Sequence, residues 1–304
     1  MRLLITGADG FVGTHAARVF RERGDDVVEL RGAATPRSDS ARTIELRDAA
    51  AVRETIAWAK PDGILHLAGA SSVARSHDNP GESFEVNTLG TVHLLDAVRR
   101  DAPSARVVIV SSGEVYGSVP GEHAAIETDS LNPISPYASS KVAAEIAAKQ
   151  FHASYGLAVV IARPFNHLGR GQAPHFVVPS FARQIRAIAA SGKGDLRVGN
   201  LEAIRDFSHV LDVVDAYRVL LDRGVAGEAY NIASGVGRSV LSLLAELIAM
   251  ARVDVKPSVD LNRMRPVELS SLIGNASKLR AVGWNPNRSV TDALREALEE
   301  AQPS

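Results

Sequence analysis

The chain has no cysteine among its 304 residues. Disulfides, thiolate zinc sites and cysteine nucleophiles are therefore excluded. It has almost no net charge, -1 at neutral pH. A polyanion-binding surface is not supported, so no nucleic-acid partner is expected and any anion recognition must be local. It also lacks a long hydrophobic run. Nothing approaches the roughly 20 apolar residues needed to span a membrane, so no membrane partner is expected. The N-terminus, Met1-Arg2-Leu3-Leu4-Ile5-Thr6-Gly7, enters a glycine turn at once. That leaves no room for a signal peptide's apolar stretch and cleavage site. A soluble cytoplasmic protein is the default expectation. The nine histidines form no close-spaced ligand pair, so no metal is expected.

What remains is ordinary globular composition, 45% hydrophobic and 23% charged, with length for one large domain or two closely joined ones. Short aliphatic and β-branched runs occupy Leu3 to Thr6, Val27 to Leu30, Thr43 to Leu46, Gly63 to Leu67, Arg106 to Ser111 and Ala158 to Ala162. They are nearly continuous rather than alternating, as in strands covered on both faces. Helix-like patterns lie between them at Val12 to Arg23, Ala49 to Ala59, Pro80 to Arg100 and Pro136 to Tyr155. Such alternation predicts an α/β fold, a Rossmann-type doubly wound parallel sheet with right-handed crossovers. After about residue 164 the rhythm breaks at Pro164, Gly169, Gly171 and Pro174, before a helix over Val178 to Ser191. The expected division is a dinucleotide-binding domain over residues 1–163, with returning segments near 204–235, and a smaller mixed lobe over 164–304.

Gly7-Ala8-Asp9-Gly10-Phe11-Val12-Gly13 follows the first strand directly and opens the first helix. Glycines at this spacing let backbone amides approach a pyrophosphate at the helix's positive end, and the last permits close helix–strand packing. A merely tight turn is the plain alternative; the strand–turn–helix setting argues against it. The second strand ends Val27-Val28-Glu29-Leu30-Arg31. An acidic residue there would bind ribose hydroxyls, whereas Arg31, with Arg37 nearby, would attract a 2′-phosphate. NADP(H) is favoured over NAD(H), with Glu29 as the competing ribose ligand if the alignment shifts.

Tyr137 and Lys141 stand four residues apart, on one helix face. An ammonium beside a phenol stabilises the phenolate and prepares it for proton transfer. Chance would explain this pair alone. It follows, however, a strand ending Val110-Ser111-Ser112, at the carboxyl edge where such sheets bind ligands.

Together these residues resemble the extended short-chain dehydrogenase/reductase family. The likeness extends through His66-Leu67-Ala68-Gly69, Asn87, Ser112 with Val115-Tyr116-Gly117, Arg163-Pro164-Phe165-Asn166 and Arg205-Asp206-Phe207. It implies that Tyr137 is the acid/base, that Lys141 orients the nicotinamide ribose and that Ser112 bonds the reacting oxygen. Glu45 and Leu46 would lie near the adenine, Ala68 and Gly69 near the pyrophosphate and ribose. Phe11, Val12, Leu67 and Pro164 join the implied coenzyme site. Asn87, Ser112, Asn166, Arg205, Arg265 and Glu268 would contact substrate; arginine forks suit a diphosphate. The family usually has aspartate at Glu45 and often alanine at Gly69.

Later runs, including Asn166-His167 before Gly169-Arg170-Gly171, and Arg265-Pro266-Val267-Glu268, resemble the GDP-mannose branch. Within it they are most similar to reductases of GDP-4-keto-6-deoxy-mannose, which form GDP-D-rhamnose. The competing reading is a nucleotide-sugar dehydratase or 4-epimerase. Glu114 could remove the proton at sugar carbon 5, but Gly113 replaces the residue that in many dehydratases helps expel the carbon 6 hydroxyl. A non-catalytic NADP-sensing protein would show damage at Ser112, Tyr137 or Lys141, and all three are intact. Apolar residues on Pro80 to Arg100 and Pro136 to Tyr155 exceed what one sheet face requires. By the family's pattern they imply a homodimer.

Overall fold

The computed structural model describes residues 1–32, 38, 40–119, 123–264 and 269–301. Six strands arise in the first half: β1 (Arg2–Thr6), β2 (Asp26–Arg31), β3 (Ala41–Thr43), β4 (Gly63–His66), β5 (Arg106–Val110) and β6 (Val159–Pro164). The rest are β7 (Asn166–Leu168), β8 (Leu196–Val198), β9 (Ile204–His209), β10 (Ala229–Ile232), β11 (Gly237–Ser239), β12 (Pro257–Val259) and β13 (Ser271–Leu272). The main sheet has seven strands in the order β10-β6-β5-β4-β1-β2-β3, all parallel. The order reverses direction about β1, between β2 and β4. That reversal opens a crevice beyond the strands' carboxyl ends.

Helices α1 (Phe11–Glu22), α2 (Ala49–Ala59), α3 (Val73–Asp78), α4 (Pro80–Ser83), α5 (Gly90–Asp101) and α6 (Pro136–Tyr155) belong to this half. Then come α7 (Val177–Ser191), α8 (Val210–Arg223), α9 (Val240–Ala251), α10 (Ser277–Ala281) and α11 (Val290–Glu300). Apolar stripes bury α1 and α8 against one sheet face, with Phe20, Val213, Tyr217 and Leu220 in that core. The other face packs Ile56, Leu94, Val98 and Phe151, from α2, α5 and α6, against Val28, Ile64 and Val107. Both faces are covered, which is why the strands read as unbroken apolar runs. A third core, with Phe181, Ile185, Leu244 and Leu294, joins α7, α9 and α11 into the smaller lobe.

The two long helices bracketing the site illustrate how far pattern reaches. Helix α6 spans the predicted range; Ser135 caps it, accepting from the Ala138 amide, and Gly156 ends it left-handed. Residues 80–100, expected as one helix, instead break into α4, a π-helical turn over Phe84–Leu89, and α5. The turn carries Asn87 inward, as π turns at ligand sites often do. The third strand lies at Ala41–Thr43 rather than Thr43 to Leu46. Among the described residues no helix is long and apolar enough to cross a membrane.

Candidate active site

Strand register assembles the site. Thr6 pairs with His66, His66 with Ile109, and Val110 with Ala162. The segments that follow, Gly7–Gly13, Leu67–Gly69 and Ser111–Ser112, therefore leave the sheet at one edge, where Pro164 ends β6.

The glycine turn is sterically committed. Gly7 has φ +67°, and a Cβ there would lie 2.8 Å from the Ala68 amide nitrogen. At Gly13 a Cβ would lie 2.1 Å from the Gly7 carbonyl, so α1 can approach β1 this closely only with glycine. No side chain caps α1, so its first amides stay open to an anion. Asp9 ties the turn to the end of β2, accepting from the Gly32 amide at 2.9 Å. These features fit a dinucleotide's pyrophosphate.

Beside it, Glu29 is buried and gripped on both sides, 2.5 Å from Arg21 Nη1 and 2.6 Å from Arg31 Nη2. Its carboxylate is not available to ribose hydroxyls. Arg31 stands at the strand's tip, part-exposed, while Arg37 lies outside the described residues. Leu46 is buried against Gly90. Glu45 is exposed and bonded twice by the Arg47 side chain, which holds its carboxyl below the usual range.

Beneath the catalytic floor runs a directional chain of hydrogen bonds. The Ala68 amide donates to Thr6 Oγ1 at 3.0 Å, and that hydroxyl meets His66 Nδ1 at 2.8 Å. His66 Nε2 meets Thr91 Oγ1 at 3.1 Å, and Thr91 donates to the Asn87 carbonyl at 2.6 Å. Burial, reinforced by Lys141, pushes the His66 pKa down to about 3, so the ring stays neutral. Asn87 is itself buried, accepting from the Ala70 amide and donating to Ala70 O and Ser140 Oγ. All its amide groups are spent inside the protein. Asn87 thereby braces the Gly69–Ala70 turn against α6. A Cβ at Gly69 would lie 2.7 Å from Asn87 Oδ1 and 3.3 Å from Lys141 Nζ, so glycine keeps this brace tight.

Tyr137 and Lys141 face the cleft from α6's first turns, both nine-tenths buried or more. Lys141 Nζ donates to the Val110 carbonyl at 2.9 Å and lies 6.0 Å from the Tyr137 ring centre. Desolvation pushes the lysine down to about 8, with Glu145 one turn on opposing it. Desolvation also pushes the Tyr137 phenol up to about 12; its hydrogen bond with Ser112 opposes this, and nearby Glu114 adds to it. At neutral pH the pair is ammonium and phenol. Ser112 Oγ also caps the short 3₁₀ turn Gly113–Tyr116, accepting from the Glu114 amide at 3.1 Å.

Gly113 is buried, and a Cβ built there meets three atoms of the Phe165 ring at 3.0 Å. Phe165 in turn lies over Tyr116, ring centres 6.2 Å apart. Pro164 ends β6, Asn166 is exposed at the start of β7, and Arg205 is buried on β9, donating to the Ile204 carbonyl at 2.8 Å. Arg265 and Glu268 lie outside the described residues.

Residues 4–297 match the family model described as GDP-mannose 4,6 dehydratase. The chain belongs to that family. Its relatives run across several chemistries. It is 34% identical to a GDP-6-deoxy-D-mannose reductase of Pseudomonas aeruginosa, over 98% of this chain and 96% of that one. It is 31% identical to a GDP-6-deoxy-D-talose 4-dehydrogenase of Aggregatibacter actinomycetemcomitans, over 99% and 96%. RMD from Pseudomonas aeruginosa, solved with NADPH, superposes with a TM-score of 0.87 at 32% identity, covering 99% of this chain and 97% of that one. The UDP-glucose 4-epimerase of Thermus thermophilus, solved with NAD, gives 0.87 at 30%, covering 99% of each. This member of the dehydratase family is an NAD(P)-dependent oxidoreductase of the extended short-chain type. Sequence reasoning passed over two parts of its site: the Thr6–His66–Thr91 chain and the Phe165 ring over Gly113. Both depend on contacts between distant segments, and only the motifs around them were visible.

Proposed function

We propose that this chain reduces the 4-keto group of a GDP-4-keto-6-deoxy-hexose with NADPH, taking GDP-4-dehydro-6-deoxy-D-mannose to GDP-D-rhamnose. The observation that carries the reading is the Phe165 ring in the space a side chain at 113 would occupy. Position 113 is glycine with that ring close behind it, so it offers no side-chain acid for elimination of the carbon 6 hydroxyl. The protonation state agrees. A phenol held at about 12 is poised to give a proton to a carbonyl oxygen, not to take one from a hydroxyl.

When bound, the reduced coenzyme supplies the hydride for sugar carbon 4. Ser112 holds the keto oxygen by its hydroxyl, and Tyr137 passes its phenolic proton to that oxygen as it becomes alkoxide. The Lys141 ammonium, fixed by the Val110 carbonyl, stabilises the phenolate left behind. Arg31, the cationic tip of β2 once Glu29 is gripped, favours a 2′-phosphate and hence NADP(H). Asn166, Arg205, Arg265 and Glu268 are assigned to the GDP-sugar, with arginine forks for its diphosphate. Exposed Leu89, Ile146 and Tyr155 on α5's approach and α6 form the face for a second copy of the chain.

A second reading, 4,6-dehydration, is favoured by one observation: Glu114 is close enough to Tyr137 to influence its titration. Deuteride transfer separates the two. With NADPH deuterated at the transferable position and the 4-keto substrate, the label should appear at carbon 4 of a released sugar nucleotide. A product without label there removes the reductase reading.

A further inference from the structure

Helix α11 ends in charges that oppose its own dipole. Its last two turns carry Glu296, Glu299 and Glu300, and no basic residue lies in the last one. Carboxylates there face the helix's negative pole and repel one another, so they weaken the helix unless donors meet them. The donors come from one loop, Gly169-Arg170-Gly171, which follows β7 directly. The Arg170 amide donates to Glu296 Oε2 at 3.1 Å, and the Gly171 amide to Glu300 Oε2 at 2.7 Å. The Arg170 guanidinium reaches Glu299 Oε2 at 3.1 Å, but that pair is more than half exposed on both sides and contributes little. A Cβ at Gly169 would lie 2.5 Å from Val210 Cγ1, so the loop runs tight against α8.

Glu296 does more than hold the loop. Its other oxygen, Oε1, lies 3.3 Å from Nε2 of His209, a side chain only 3% exposed. His209 Nδ1 accepts from the Leu211 amide, so the ring's proton is on Nε2 and is donated to Glu296. One carboxylate thus accepts from the last residue of β9 and from the loop together. The loop's far side is tied as well, since the Arg170 carbonyl accepts from His15 Nε2 at 2.7 Å. His15 stands one turn into α1, edge-on to Phe11 with ring centres 5.7 Å apart.

A continuous line of hydrogen bonds therefore runs from β9 through His209, Glu296, the Arg170 backbone and His15 to α1. Both of its ends belong to binding elements. The open amides of α1 fit a pyrophosphate, and β9 carries Arg205, assigned above to the GDP-sugar. Packing of α11 in its own lobe does not require Glu296, because Ala293, Leu294, Ala297 and Leu298 supply that core. The bonds of Glu296 lead outward instead, to β9 and the loop.

We propose that Glu296 is a positioning residue that clasps the two lobes. Through the Arg170 backbone and His15 it ties β9 to α1, so that coenzyme on α1 and sugar nucleotide on β9 strengthen each other's binding. The clasp rests on the assignment of β9 to the sugar nucleotide and not on the direction of the reaction.

Coupling is the quantity to read, because loss of a merely structural contact weakens each binary complex without changing how one ligand affects the other. The Kd of GDP-mannose is measured by calorimetry with and without saturating NADPH; GDP-mannose has no keto group, so the pair does not turn over by reduction. The wild-type protein should bind GDP-mannose about 5-fold or more tightly with coenzyme present, the lower end of ordinary coupling between sites. Glu296→Ala should abolish that difference, and so, from the other end of the line, should His15→Phe. The double variant should lose no more than either single one. A wild-type affinity indifferent to coenzyme, or coupling kept in either variant, overturns the proposal. If GDP-mannose binds neither with nor without NADPH, the GDP-sugar reading falls instead, and hydrogen exchange decides the clasp. NADPH alone should slow exchange of the α11 amides in the wild-type protein and not in His15→Phe. Exchange that is not slowed in the wild type, or is slowed equally in the variant, overturns it.

Discussion

Burial acts on Tyr137 and Lys141 in opposite senses, raising the phenol to about 12 and lowering the ammonium to about 8. Reduction needs the phenol protonated and the lysine charged. Both conditions hold below about pH 8, and the lysine's fails first as pH rises. The kcat/KM of the wild-type enzyme should therefore be level on the acid side and fall through about pH 8. A bell with a steep acid limb would instead indicate a required base, as dehydration does. Tyr137→Phe should lower kcat by a factor on the order of 10²–10⁴. Coenzyme choice is also decided at single residues. Arg31→Asp, which removes the cation at the strand tip and releases one side of Glu29, should lower kcat/KM for NADPH and narrow its ratio to that for NADH. Steady-state comparison of the two coenzymes is the check; a wild-type preference for NADH contradicts the Arg31 assignment.

Single elements were legible where one local signal governs them. Helix α6 has a serine cap, proline at its start and glycine at its end, and its range followed from sequence. The π turn at Phe84–Leu89 did not, because it is held by Thr88 and Asn87 reaching Ser140 across a packed interface. Likewise β10 completes the sheet through pairing with β6, though its four residues alone carry too little pattern to declare a strand. The glycine turn was legible because its backbone geometry fixes spacing, and so was the meeting of Tyr137 with Ser112 and of Lys141 with the end of β5. Asn87's bracing role was not, because it depends on the turn. Under α6 a buried pair ties the elements together: Arg163 bonds both oxygens of Glu145, which also accepts from Ser111 Oγ at 2.5 Å. Both side chains are only 2% exposed. Arg163→Met would strand the Glu145 carboxylate and should cost about 3–5 kcal/mol. Urea unfolding should show the lower midpoint; an unchanged midpoint would mean that the pair contributes little.

At the scale of the whole molecule, the main sheet and the smaller lobe are joined through β7 and β9, which pair in parallel beyond the end of β6. On α6 and at the approach to α5, Ile146 is 63% exposed, with Leu89 and Tyr155 also bare. On the dimer reading, Ile146→Glu should shift sedimentation towards monomer while the thermal transition of each chain changes little. A wild-type protein that sediments as a monomer at all concentrations contradicts that surface.

The central claim is net reduction of a 4-keto sugar nucleotide, and stoichiometry tests it most directly. Purified protein is given GDP-4-keto-6-deoxy-mannose with NADPH, and separately GDP-mannose with catalytic coenzyme. The account predicts one NADPH oxidised for each GDP-deoxyhexose formed in the first mixture and no reaction in the second, with Glu114→Gln having only a mild effect. Conversion of GDP-mannose to its 4-keto-6-deoxy product without net coenzyme use, abolished by Glu114→Gln, would contradict it.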